Sequence, residues 1–274
     1  MAGFRTRALS AVVLVAVLGS ALFFGSYYLW ALMYFSSIVG FFEFLRAMRE
    51  PADRENMKPD ILESLGYAGI SAVYLVFLIW DPIKDLVYVF YVLVLLLTAL
   101  MIFYVMQFPR FPTSKMMQVF FGVIYVGIML SFVYLTRMSE QGLKLVWLIF
   151  IASWICDTCA YLTGMAIGKH KLTPLLSPKK SIEGAVGGVA GAALAGFIYG
   201  IIIKPDYSAW IPAVICGIGA VISQFGDLTA SAIKRNHDIK DYGRLIPGHG
   251  GILDRFDSVI ITAPIVYILS QVFI

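Results

Sequence analysis

Nine stretches of mostly apolar residues, each about the length of a bilayer span, follow one another along this chain. They cover residues 8–24, 27–45, 62–80, 85–106, 117–136, 144–167, 183–203, 210–232 and 255–273. A hydrocarbon core about 30 Å thick is crossed by roughly 20 helical residues. Only 14% of the 274 residues are charged, against about 25% in an ordinary globular domain. So little charge cannot cover a soluble surface of this size, and most of the surface must face lipid. Lipid-exposed backbone has to satisfy its own hydrogen bonds, which selects helices. The fold class expected is an all-α polytopic membrane protein with about nine transmembrane helices. Arg5 and Arg7 ahead of the first run would suit a cleaved leader. The apolar character continues to Leu45, broken only at Gly25-Ser26, so the run reads as a retained first helix.

Charge orients these spans. With the N-terminus in the cytoplasm, Lys84, Arg137, Lys144 and Lys204 alone fall outside, and the other 17 of the 21 Lys and Arg fall inside. The positive-inside rule favours that topology. Orientation accounts for the basic excess, and no nucleic-acid partner is expected. Cys156, Cys159 and Cys216 all lie in apolar segments. The Cys156-x-x-Cys159 pair has no second pair or clustered His with which to complete a zinc shell, so all three read as small hydrophobes.

The character of the chain changes near residue 150. Earlier spans are rich in Leu, Val, Phe and Tyr and read as nearly free of buried charge, whereas later ones carry acidic residues, glycines or polar stripes. This divides the chain into an N-terminal scaffold part, 1–143, and a C-terminal catalytic part, 144–274, with cytoplasmic loops at 168–182 and 233–254.

Two of the later spans carry polar stripes. At 100° per residue, Gln224, Asp227, Ser231 and Lys234 fall within roughly an 80° arc. A central carboxylate costs about 2.5–3.5 kcal/mol to insert, so this face turns to the bundle interior, a wet cavity or an ion. Ser153, Asp157, Ala160, Tyr161 and Gly164 share roughly a 100° arc. Along 183–203, Gly184/Gly188, Gly187/Gly191 and Gly196/Gly200 are spaced for close helix packing.

Two loops are chemically informative. Gly168 to Gly184 is basic and hydroxyl-bearing. Its Ser181 is placed to cap the following helix, with Glu183 in the first turn, and phosphates bind such helix ends. Lys179 and Lys180 reaching to anionic headgroups is an equal alternative. The second loop runs from Ser231 to Asp257. Gly248, Gly250 and Gly251 allow close backbone approach, its Lys and Arg supply phosphate donors, and Asp254 and Asp257 start the last span on a shared face. With Asp157 and Asp227, four carboxylates gather toward one side among many bases. That pattern points to a hard divalent cation and metal-assisted chemistry on a phosphate substrate at the membrane boundary.

Residues 231–257 resemble the signature of the CDP-diacylglycerol synthase (phosphatidate cytidylyltransferase) family, S-x-φ-K-R-x4-K-D-x-G-x2-φ-P-x-H-G-G-φ-x-D-R-φ-D, with φ apolar. Ser177-Pro-Lys-Lys-Ser-Ile-Glu-Gly184 resembles the family's S-P-x-K-T-x-E-G, with Ser181 where Thr is usual. Asp157-x-x-Ala-Tyr161-x-x-Gly164 resembles its D-x-x-A-Y-x-x-G, with Cys159 where Gly is frequent. The resemblance covers roughly 150–274, and upstream only hydropathy agrees.

The resemblance implies that CTP and phosphatidic acid give CDP-diacylglycerol and pyrophosphate with Mg²⁺, alone or with a second cation. It also implies a homodimer in the cell (inner or plasma) membrane with its site facing the cytoplasm. Asp227, Lys234, Arg235, Asp254 and Asp257 would be catalytic, with Asp227, Asp254 and Asp257 at the metal, and Asp157 would complete the metal site or shape the cytidine pocket. Substrate contacts would come from Tyr161, Ser177, Lys179, Lys180, Ser181, Ser231, Lys240, Asp241, His249, Gly250, Gly251 and Arg255. His249 would serve as a phosphate donor or a loop strut. A transporter is the rival from another class, and a CTP-dependent kinase or transferase acting on a polyprenyl or ether lipid the rival among enzymes.

Overall fold

The computed structural model describes residues 2–54, 58–203, 207–248 and 250–274. Within them each expected apolar run coincides with a helix: α1 (Ala2–Phe24), α2 (Ser26–Met48), α3 (Ile61–Ile79), α4 (Val87–Met106), α5 (Thr113–Met138), α6 (Gly142–Ile167), α7 (Ile182–Ile203), α8 (Trp210–Asn236) and α9 (Leu253–Phe273). Eight of these are long and apolar enough to cross a membrane, and α1 contributes the shorter apolar stretch Leu9–Phe24. The chain is an all-α polytopic membrane protein. The 168–182 loop, however, folds into an antiparallel hairpin of β1 (Lys171–Thr173) and β2 (Ser177–Ser181), with Lys171 opposite Ser181 and Thr173 opposite Ser177.

The chain forms two compact units, Met1–Met138 with Asp241–Arg255, and Ser139–Lys240 with Phe256–Ile274. In the first unit, α1 turns into α2 at Gly25, whose φ of 62° favours glycine. Arg137 caps the end of α1, donating Nε to Leu22 O at 2.8 Å and Nη2 to Phe23 O at 3.2 Å. Asp60 and Glu63 form a reciprocal capping box at the start of α3. The interior holds a polar-tipped aromatic cluster. Trp30 Nε1 donates to Tyr74 O at 2.9 Å, and the Tyr74 hydroxyl meets Ser37 Oγ at 2.8 Å.

This unit is not free of buried charge, contrary to the expectation from its sequence. Glu63 is 1% exposed and Glu43 3%. Glu63 is balanced by Arg49 Nη2 at 2.6 Å and by Lys115 Nζ, which also lies 3.1 Å from Asp60. The balancing bases stand at residues 46–49 and 115, near the ends of apolar runs, where a linear reading assigns them to the interface.

In the second unit the glycines of α7 perform the packing role expected of them. A Cβ at Gly188 would lie 2.9 Å from both Cys156 O and Ala160 Cβ on α6, and one at Gly184 2.7 Å from Ala160 O. Toward the other end, a Cβ at Gly196 would come within 2.6 Å of Pro212 O on α8. Backbone therefore packs on backbone along α7. Cys156, Cys159 and Cys216 are free thiols. Cys156 packs with Ala192 and Ala220, as small hydrophobes do.

Because backbone cannot yield, Gly188→Leu should lower the unfolding midpoint of the detergent-solubilised protein by several degrees, at a cost of about 1–3 kcal/mol. Gly217→Ala, whose nearest neighbour would be Ala193 Cβ at 3.5 Å, should leave the midpoint unchanged or slightly raised. A thermal melt followed by tryptophan fluorescence checks both.

Candidate active site

Three helices and the hairpin of the second unit bring its carboxylates and lysines together. α6 contains a π-helical segment, Ile151–Ile155, just before Asp157. Such segments insert an extra residue into the turn and are frequent at functional sites. Ser153, expected on the same face as Asp157, does not line the cavity that Asp157 lines. Ser153 is fully buried and donates to Ile149 O at 2.8 Å. Asp157, Ala160, Tyr161 and Gly164 remain on one face and line a cavity of about 400 Å³.

Ser177, Lys179, Lys180 and Ser181 of the hairpin line the same cavity, as do Gln224 and Asp227 of α8. Thus Asp157, Tyr161, Ser177, Lys179, Lys180, Ser181 and Asp227, all singled out in the sequence, converge on one space. Ser181 Oγ accepts the Gly184 N–H at 3.1 Å, capping α7 as expected. Glu183 pins the base of the hairpin, accepting from Lys169 N at 3.1 Å and meeting His170 Nδ1 at 2.6 Å. Gln224 Nε2 donates to Ala185 O at 3.0 Å, tying α8 to α7.

The stripe on α8 finds partners outside its own helix. Lys180 Nζ forms an ion pair with Asp227, and Lys234 Nζ lies 3.9 Å from Asp257 Oδ2. Gly226 makes this possible, since a Cβ there would come within 3.0 Å of Asp257 O and 3.2 Å of Ser258 Cα. Asp157 and Asp227 line one cavity, and Asp257 faces Lys234 of the α8 stripe that carries Asp227. Among the described residues no three acidic, His or Cys side chains stand as a ready-made metal cluster. Lys180 and Lys234 stand beside two of these three carboxylates, Asp227 and Asp257.

The remaining candidates lie at or near the 237–252 loop. Ser231 is half-buried on α8, and Arg235, Lys240 and Asp241 are exposed. Ile246 N donates to Gly250 O at 2.8 Å, closing a turn in which Gly248 and Gly250 have φ of 78° and 86°. Both values suit glycine and disfavour other residues. His249 lies outside the described residues. Asp254 is bound by backbone amides. Its Oδ2 accepts from Tyr242 N at 2.8 Å, Gly243 N at 3.3 Å and Gly251 N at 3.0 Å, closing the loop on itself. Arg255 Nε is buried with no hydrogen-bond partner among the described residues.

Glu43 and Arg46 were not among the sequence candidates, yet both touch this loop. Glu43 accepts the Ile252 and Leu253 N–H groups, and Arg46 donates to Tyr242 O. The signal that points to Glu43 is a lone acid within the apolar run 27–45.

A family model described as the cytidylyltransferase family matches residues 5–273. The chain is also similar to curated proteins named phosphatidate cytidylyltransferase. It is 40% identical to that of Staphylococcus saprophyticus subsp. saprophyticus and to those of Staphylococcus epidermidis, and 42% identical to those of Staphylococcus aureus. Each alignment runs over 148 residues, 54% of this chain and 56% of the relative, so the match spans little more than half the length of these relatives. The family match reaches well upstream of residue 150, where the sequence alone showed only shared hydropathy. The resemblance read from the signature is borne out: this chain belongs to the cytidylyltransferase family.

Proposed function

We propose that the chain is an integral membrane phosphatidate cytidylyltransferase of phospholipid biosynthesis. A phosphate oxygen of phosphatidic acid attacks the α-phosphorus of CTP, an O–P bond forms, and the bond to the departing pyrophosphate breaks. The products are CDP-diacylglycerol and pyrophosphate. The observation that carries this reading is the convergence of Asp157, Tyr161, the hairpin lysines and hydroxyls, and Asp227 on one cavity of a membrane-embedded fold. A site meant to bring two polyanions together needs fixed positive charge and oriented donors.

The donor set fits magnesium. Asp157, Asp227 and Asp257 offer hard carboxylate oxygens from three helices, and Lys180 and Lys234 stand beside two of them. When bound, the cation would neutralise phosphate charge and orient the reacting oxygens. The protein's own groups do the rest. Lys179, Lys180 and the capped start of α7 bind phosphate oxygens. Lys234, Arg235 and Lys240 supply further cationic donors for the departing pyrophosphate. The nucleophile is already anionic, so no general base is required. Asp254 serves by shaping the 242–251 loop that it closes.

The charge asymmetry of the chain supports a cytoplasmic site, where CTP is found. A cell-membrane location and a homodimer rest on the family resemblance.

CTP labelled at the α-phosphate should label the lipid product, and γ-labelled CTP should label only pyrophosphate. EDTA should abolish turnover and Mg²⁺ restore it. Lipid labelled from the γ position would identify a kinase instead. Asp227→Asn and Asp257→Asn should each cost at least about 100-fold in turnover while leaving the thermal melt in detergent close to that of the parent. Near-normal rates in both would remove them from the site.

A further inference from the structure

Glu43 is 3% exposed and lies near the C-terminal end of α2, one turn before Arg46. Both of its oxygens are used. Oε1 accepts from Ile252 N at 3.2 Å and Oε2 from Leu253 N at 2.9 Å. These amides sit at the start of α9, where a helix leaves its first N–H groups without intrahelical partners. A carboxylate there also meets the positive end of the helix dipole. Side chains Cβ-deep at Gly243 or Gly251 would run into the Glu43 carboxylate, so these two signature glycines leave the space that Glu43 fills. Arg46, one turn further along α2, donates Nη2 to Tyr242 O at 2.5 Å. Asp254 closes the same stretch from within, through the Tyr242, Gly243 and Gly251 amides.

Packing alone does not account for this arrangement. A local Ser, Thr or Asp caps a helix at far less cost than a carboxylate buried in a membrane span. Here the cap comes from 209 positions away. A cap from so far along the chain fixes what a local cap leaves free, namely where the helix starts relative to the rest of its unit. The start of α9 sets the angular position of every later residue on it, Asp257 included.

We propose that Glu43 is a positioning residue for nucleotidyl transfer. With Arg46 as a second tie, it holds the 242–253 backbone, and so fixes the start of α9. The activity part of this inference rests on the cytidylyltransferase reading, whereas the loop part does not.

The test uses the full chain in detergent with CTP and phosphatidic acid, comparing Glu43→Ala and Glu43→Gln with the parent. Glu43→Ala removes both acceptors. Glu43→Gln keeps the shape but turns an amide NH₂ toward a backbone donor. Turnover (kcat) should fall about 100-fold for Glu43→Ala and about tenfold for Glu43→Gln, with KM for CTP changed less than about threefold. Tryptic cleavage after Lys240 and Arg244 should quicken about tenfold in both, as the loop loses its anchor. The melting midpoint of Glu43→Gln should stay within a few degrees of the parent.

Parental kcat and parental cleavage rate in Glu43→Gln would overturn the proposal. So would a loss of activity that follows a collapsed melting midpoint while loop cleavage is unchanged. If Glu43→Ala does not fold, Glu43→Gln decides alone. If the parent itself turns over no phosphatidic acid, the functional reading fails, and the cleavage rates by themselves decide whether Glu43 anchors the loop.

Discussion

A carboxylate within a bilayer must meet a cation or a set of hydrogen-bond donors, and the polar architecture of this protein follows from that demand. Glu63 meets Arg49 and Lys115. Asp227 meets Lys180, and Asp257 has Lys234 within 3.9 Å. Glu43 and Asp254 meet backbone amides instead. The two solutions serve different ends. Amides are fixed to the chain, so a carboxylate held by them fixes backbone in return. Lysines are flexible, so a carboxylate held by them stays open to exchange with a better cation or a phosphate-bearing ligand. The amide-bound acids, Glu43 and Asp254, hold the loop, and of the cation-bound acids Asp227 lines the cavity beside Lys180.

Close helix packing makes the second group possible. The glycines of α7 remove the side chains that would separate it from α6, and Gly226 does the same between α8 and the Asp257 turn of α9. In α6, Ser153 lies buried within the π segment while Asp157 and Tyr161 beyond it line the cavity.

Much of this is legible in the sequence, for a definite reason. Helical periodicity turns spacing into direction, so Asp157, Tyr161 and Asp227 could be assigned to polar faces from their positions alone. The hydroxyl–glycine spacing of Ser181 and Gly184 likewise reads directly as a cap. The π segment that holds Ser153 escaped because an inserted residue in a helix has no signature in residue type. The hairpin escaped because strands of three and five residues bearing Pro and Lys show no alternation. The use of Glu43 escaped for a deeper reason. Its partners are backbone N–H groups, which every residue but proline carries, so no residue type announces them. The site as a whole therefore read as a set of faces, while the struts that hold the signature loop needed the three-dimensional chain.

The membership of that loop in the first compact unit has a consequence for how the protein is made. Helices α6 to α8 are translated between Met138 and Asp241, so the first unit stays open while three further spans enter the membrane. Throughout that interval Glu43 has neither the Ile252 nor the Leu253 amide, because the ribosome has not reached them. Closing so distant a contact is slow compared with local helix formation. The nascent chain thus carries an acid in an apolar segment through most of its synthesis. Arrival of the last helix is then the step that completes the first unit.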